Sequence, residues 1–240
     1  MKSMIKFFIL SILIIQFISC KRNKVNAKFN TNLDLKLNVV VQDKNTQPNS
    51  KGLEMSHYGE HDIDCGVGLL SAFKLEKNSA TSYHYSFKCM SPNPAKCNSE
   101  CMKNIEEFDK HSCKTLTSTK VPLKPTDPKS TEAMGGLFVQ CPDNFVLKQW
   151  RPKVTKDQSP QIYYEYTCAP AKTNACGKKS TSELSYGSAD HTIISLDRFD
   201  VSVPDPKTQA MTGFTFTVVA KGAKESWKMK YDIKYCSITG

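Results

Sequence analysis

Beyond its first twenty residues the sequence has no hydrophobic run long enough to cross a membrane, which takes about 20 apolar residues. No transmembrane segment and no glycolipid-anchor tail are therefore expected. No Asn-x-Ser/Thr sequon occurs, although asparagine is frequent, so N-glycosylation is not expected either. The Gly-x-Ser-x-Gly elbow, the phosphate loop and the dinucleotide fingerprint are all absent. Their absence removes the enzyme classes whose chemistry a local motif announces, and no cofactor is expected. Paired carboxylates of a glycosidase type leave no such mark, because they converge only in the folded chain. No five like charges stand in a row, so the lysines read as a scattered, solvated surface and no nucleic-acid partner is expected.

What the N-terminus does have is a leader. Lys2 and Lys6 precede the apolar run Phe7 to Ile15, and small residues follow at Ser19 and Cys20. This is the charged, apolar and small-residue order of a secretory signal peptide, residues 1–20. Phe17-Ile18-Ser19-Cys20 before Lys21 also resembles a lipobox, which would leave a lipid-anchored protein held at the cell surface through Cys20. Removing Lys2 and Lys6 with the signal leaves 31 basic against 23 acidic residues, a charge of +8. An excess of that size attracts anionic glycans and anionic lipid surfaces.

Cysteine is plentiful, and it supports export. Of ten cysteines nine remain after Cys20, a number that fits an oxidising compartment, where thiols become staples. Nine is odd, so the sequence leaves one cysteine over.

The most informative feature is self-similarity. Leu70-Ser-Ala-Phe73 precedes Tyr83-His-Tyr85-Ser-Phe87-Lys-Cys89; Leu147-Lys-Gln-Trp150 precedes Ile162-Tyr-Tyr164-Glu-Tyr166-Thr-Cys168; Met211-Thr-Gly-Phe214 precedes Met229-Lys-Tyr231-Asp-Ile233-Lys-Tyr235-Cys236. Cys-Pro-Asp at 141–143 matches Val-Pro-Asp at 203–205. Three ordered sets of landmarks predict tandem duplication of a unit of about 65 to 75 residues. The expected fold is mainly β: about three disulfide-stapled β repeats, sandwich- or prism-like. Their bounds are 21–96, 113–175 and 176–240, with a helical, cysteine-containing insertion at 97–112 after the first. Alternation predicts strands over Leu33–Val39, Tyr83–Cys89 and Ile162–Cys168. Polar and Pro-rich stretches predict loops at 43–52 and 120–129.

The third unit keeps only Cys176 and Cys236, which makes them natural partners. Cys65 with Cys89 and Cys141 with Cys168 would close comparable loops, leaving Cys97, Cys101 and Cys113 with one bridge among them. A second solution pairs Cys113 with Cys168 and releases Cys141; spacing alone does not decide between them.

Two patterns suggest metal. His57-Tyr-Gly-Glu60-His61 has the His-x-x-Glu-His order of inverted zinc peptidases, but Gly59 inside it, Gly52 just before it and a strand expected after Asp62-Ile-Asp64-Cys65-Gly66 oppose the helix that zinc chemistry needs. Cys97, Cys101, His111 and Cys113 could enclose structural zinc, but export favours disulfides. Asp197, Asp200 and Asp205 lack the close oxygen spacing of a calcium loop, and no metal is expected.

Two readings of the aromatic strands stand side by side. They are cross-strand core packing, or they form a ligand face, for which Trp150, Trp227, Tyr164 and Tyr166 are the candidates, since Tyr and Trp stack on sugars and anchor interfaces. The functional expectation is a secreted, non-enzymatic extracellular protein acting in adhesion, surface-coat assembly or ligand binding, with a protein or glycan as partner. The alternatives are a secreted hydrolase whose acids converge in the fold, and a membrane-acting toxin or surface lipoprotein, for which only Thr212 to Ala220 offers an apolar alternating face.

Overall fold

In a computed structural model of the protein, residues 39–48, 55–92, 103, 112–124, 131–186, 192–219 and 227–239 are described. The chain is mainly β, and its strands form three antiparallel sheets. Each sheet is organised on one long hairpin. These are β3 (Leu69–Lys77) with β4 (Tyr83–Pro92), β8 (Phe145–Val154) with β9 (Gln161–Pro170), and β13 (Gln209–Val219) with β14 (Trp227–Ile238).

Each hairpin is flanked on both sides. Along the second strands run β1 (Val39–Asn45) on β4, β5 (Lys114–Thr117) and β6 (Val121–Pro122) on β9, and β10 (Thr173–Ser180) and β11 (Leu184–Tyr186) on β14. The first strands receive short partners in a cyclic order. β2 (Ile63–Asp64) lies before the first hairpin but pairs with β8 of the second. β7 (Phe138–Gln140) lies before the second and pairs with β13 of the third. β12 (Val201–Ser202) lies before the third and returns to β3 of the first. A 3-10 segment precedes each of these short strands, at Met55–Glu60, Thr131–Gly136 and Ile193–Arg198. These pack on β8, β13 and β3 respectively. Every sheet is thus completed by chain that belongs, in sequence, to its neighbour.

A bulge in each hairpin explains the spacing of three between the aliphatic residue and the aromatic. In a regular strand, residues three apart point to opposite faces. Register shifts lie between Leu70 and Ala72, between Leu147 and Gln149, and between Met211 and Gly213. The extra residue turns Phe73, Trp150 and Phe214 to the side already taken by Leu70, Leu147 and Met211, and all six are buried. The bulged carbonyls do not go unsatisfied. Those of Ser71, Lys148 and Thr212 accept the backbone N–H of Val203, Cys65 and Cys141 at 3.0, 3.1 and 2.8 Å. Buried backbone oxygens need such partners.

A second set of hydrogen bonds fixes the outer strands. The hydroxyls of Thr46, Ser118 and Thr181 accept the N–H of Tyr85, Tyr164 and Tyr231 at 2.9, 2.9 and 3.0 Å. The backbone N–H of the same three residues donates to the carbonyls of those tyrosines.

The interior is filled by rings. Phe73, Trp150 and Phe214, one from each hairpin, meet with centroids 5.0, 5.0 and 5.1 Å apart. Tyr85 stands over Phe73 and Trp150, Tyr164 over Trp150 and Phe214, and Tyr231 over Phe73 and Phe214. Aromatic pairs at these distances contribute about 0.5–1.5 kcal/mol each beyond the area they bury. Met90, Val146, Ala210 and Ile238 form a smaller apolar cluster of their own.

Among the described residues three bridges staple the fold: Cys65–Cys89, Cys141–Cys168 and Cys176–Cys236. Loops of 24 and 27 residues correspond to about 3 kcal/mol each in the chain-entropy account. Of the insertion, Lys103 and Ser112 are described and helical; Cys97, Cys101 and His111 lie outside the described residues. Cys113 is half-buried just before β5.

Two expectations about local structure need correction. The loop expected from residue 43 begins later, because Asp43, Lys44 and Asn45 continue β1 opposite Lys88, Phe87 and Ser86. The ladder, with an ion pair from Lys88 to Asp43 at 3.6 Å, overrides the polar composition. Within the Pro-rich stretch, Val121 and Pro122 pair with β9. Of the strand expected over Leu33–Val39, only Val39 is described, and it opens β1.

Gly213 marks the tightest approach. A Cβ there would sit 2.3 Å from the Val139 carbonyl oxygen, a backbone atom of β7 that cannot swing aside. We expect Gly213→Ala to lower stability by about 1–3 kcal/mol, the usual range for overpacking, measured as a shift in the urea midpoint at unchanged slope. A wild-type midpoint would mean that β7 does not press on β13.

Candidate functional site

The proposed ligand face of aromatics is corrected by burial. Trp150 and Tyr164 are 0% exposed and Tyr166 is 5%. The bulge turns Trp150 inward, and the strict alternation of β9 buries Ile162, Tyr164, Tyr166 and Cys168 together. None of the three can stack on a ligand from solvent. Trp227 lies in β14 opposite Tyr186, and its side chain lies outside the described residues. The apolar face of the segment from Thr212 is likewise spent on the interior, where Phe214 and Phe216 are buried.

The histidine pattern is broken up. Residues Met55–Glu60 form a 3-10 helix, with three residues per turn, so the i, i+4 geometry of a zinc helix is not available. His61 is 1% exposed and packs against Tyr83 and Tyr85 with centroids 4.8 and 5.6 Å away. Its Nδ1 shares a 3.0 Å hydrogen bond with the Thr46 hydroxyl, and its Nε2 has no partner among the described residues. Burial pushes its pKa down to about 4, with a smaller opposing effect from Glu60. No group of three or more His, Cys, Asp or Glu that could hold a metal occurs among the described residues.

Other titratable groups are structural. Tyr58 and Tyr85 join hydroxyls at 2.5 Å, and burial raises both well above the usual tyrosine value. Burial raises Tyr164 too; its hydroxyl and the Trp150 indole N–H have no hydrogen-bond partner among the described residues. Asp205 is held low by the Thr208 hydroxyl and the Lys207 backbone N–H, which make it a turn-forming residue before β13. Asp197 and Asp200 do not join it. On the outer face of β8 and β9, Arg151 bridges Glu165 and Asp62, with a bond from Nε to Glu165 of 2.6 Å. That network links β2 to the hairpin it joins.

A concave feature of the described residues lies elsewhere. A cleft of about 430 Å³ opens between residues 140–145 and the sheet of β10, β14 and β13. Two bridges line it, through Cys141 on one side and Cys176 with Cys236 on the other. Its backbone is specialised: Asn144 has φ 62°, and Ala175 has φ 45° where the β10–β14 register shifts. Past that bulge, Lys178 stands directly opposite Lys234, and both are exposed in the cleft. The Lys234 ammonium donates to the Gln140 side-chain carbonyl at 2.6 Å. Gln140 is itself held by its own amide, which donates to the Cys141 carbonyl at 2.9 Å.

Tyr235 completes the wall. It faces Met211 in the register, as Cys89 faces Leu70 and Cys168 faces Leu147. A bulky ring therefore occupies, in this hairpin alone, the place of a bridged cysteine. The ring lies against Gly177, whose missing Cβ would meet the tyrosine oxygen at 2.6 Å and Cζ at 2.8 Å. Sequence reasoning did not single out Lys178, Lys234 or Gln140, and Tyr235 stood only among the alternating tyrosines of the aromatic strands. The available signal was that Val203 stands where Cys65 and Cys141 stand before the other hairpins, and that Cys176 and Cys236 are spaced differently from the other two pairs.

Comparison with protein-family models, with curated proteins and with solved structures gave no match.

His61 carries a pH signature. Its folded pKa lies below the ordinary 6.5, so the unfolded chain binds the extra proton. Stability should be intact above pH 6.5 and fall as pH drops towards 4, by roughly 2–4 kcal/mol in total. Urea unfolding at pH 7, 5.5 and 4.5 measures this, and His61→Gln should flatten the slope in that window. Equal slopes in variant and wild type would show that another group carries the effect.

Proposed function

We propose that the protein is a secreted, non-enzymatic binding protein made of three tandem β units, 21–96, 113–175 and 176–240, closed in a prism-like ring. It would act in adhesion, surface-coat assembly or ligand binding, with an extracellular protein or a glycan as partner. The cyclic exchange of short strands, the three bulges at matching positions and the three Ser/Thr–Tyr bonds support duplication. Three disulfides are consistent with an extracellular location, and no helix among the described residues is long and apolar enough to cross a membrane.

The observation that carries the binding reading is the filled interior. Phe73, Trp150 and Phe214 occupy the centre where the three hairpins meet, so ligand contact falls to the surface. Rigid stapled sheets that hold a cleft between two bridges suit recognition, because a preorganised surface loses little entropy on binding.

The test is saturable binding of the disulfide-intact chain, from Lys21 onward, to an array of neutral and acidic glycans and purified matrix proteins. Selective binding without any change in the captured ligand is the expected result. Cleavage of a bound glycan or protein would replace this reading with the hydrolase one, and absence of selective binding would remove the binding assignment.

A further inference from the structure

We propose that the cleft between residues 140–145 and the β10–β14 ladder is a binding site for an acidic saccharide, with Lys178 and Lys234 receiving its sulfate or carboxylate group. This rests on the reading of the chain as a binding protein and names the site and ligand class for it.

The first argument is the lysine pair. Like charges directly opposite on neighbouring antiparallel strands oppose pairing, yet Lys178 and Lys234 occupy such positions. Neither has a carboxylate within ion-pair distance among the described residues. Of the other lysines of the same sheet, Lys228 pairs with Glu183 at 2.6 Å and Lys230 with Asp232 at 3.1 Å, while Lys179 donates to the Ser202 carbonyl at 3.2 Å. An anion between the two ammoniums would turn this repulsion into attraction. Lys234 is already oriented for it, since its bond to Gln140 uses one of three donors on the ammonium.

The second argument is the ring beside the lysines. Tyr235 lines the same cleft, its half-buried ring packed against Gly177 and the main core and next to the Cys176–Cys236 bridge. An apolar ring with a polar tip beside hydroxyl and amide groups suits a sugar ring better than a bare inorganic anion. Thr173, Thr212 and Asn144 supply those groups, and Asp143 is the one acidic residue in the lining, set against the two lysines. The cleft's volume of about 430 Å³ accommodates a compact ligand, since small-molecule sites begin at about 300 Å³. A lipid headgroup offers the same charge without the ring, and the test separates the two.

The probe is a defined sulfated glycosaminoglycan octasaccharide, titrated calorimetrically into the disulfide-intact chain alongside its desulfated counterpart and vesicles of anionic phospholipid. Binding of the sulfated sugar should exceed that of the desulfated one at least tenfold and weaken with salt. Lys178→Ala with Lys234→Ala should lose at least tenfold, Tyr235→Ala should lose affinity at every salt concentration, and Lys207→Ala, outside the cleft, should bind as wild type. Circular dichroism and the urea midpoint confirm that each variant is folded.

Wild-type affinity in the double lysine variant would overturn the site while leaving the binding reading in place. Equal affinity for the desulfated sugar, or binding to anionic vesicles alone, would overturn the ligand class. Binding to nothing on the glycan and matrix-protein array as well would overturn both readings together.

Discussion

Everything in this fold depends on one steric requirement: three hairpins must share a single interior, and each has one large ring to put there. Phe73, Trp150 and Phe214 meet at about 5 Å, close to the lower end of the range for aromatic pairs. To reach that place each ring must leave the face to which plain alternation would send it. The bulge two residues earlier makes the switch, and the bulge in turn exposes a carbonyl that needs a donor. The donor comes from the chain just before the preceding hairpin in the cyclic order. Ring, bulge and strand exchange are therefore linked, and none is stable without the other two.

Disulfides act on this arrangement from outside the rings. Cys65 and Cys141 each combine a bridge within their own hairpin region with a backbone bond to the neighbouring bulge. They tie covalent and hydrogen-bonded connections to the same residue. At the third position Val203 keeps the backbone bond but has no sulfur. Its hairpin is stapled instead between adjacent strands, at Cys176 and Cys236. That one departure leaves Tyr235 in place of a cysteine and opens the cleft beside it. Where the pattern is broken, the cleft lies.

Much of this was legible in the amino-acid order. The aromatic strands Tyr83–Cys89 and Ile162–Cys168 announce themselves by period two, and the landmark spacing brings out three comparable segments. The short strands β2, β7 and β12 were not legible, because two or three residues carry no period. The burial of Trp150 with Phe73 and Phe214 agrees with the core-packing reading of the repeated landmarks; alternation alone would have missed it, because without knowing that Lys148 is bulged out a residue three after Leu147 reads as facing away from it. The cleft was the least legible element. Its walls come from residues 140–145, 173–178 and 234–236, segments brought together only by the ladder of β10 and β14 and by β7 joining β13.

One shared interior makes the three sheets a single cooperative unit, and that is the claim most open to direct measurement. Urea unfolding of the disulfide-intact chain should be followed by Trp fluorescence, for the ring cluster, and by far-ultraviolet circular dichroism, for the sheets. The account predicts coincident transitions with one midpoint, because no hairpin can leave without emptying the core of the other two. Separate midpoints, with sheet signal surviving after the Trp150 environment is lost, would show independently folding units and would contradict a common core.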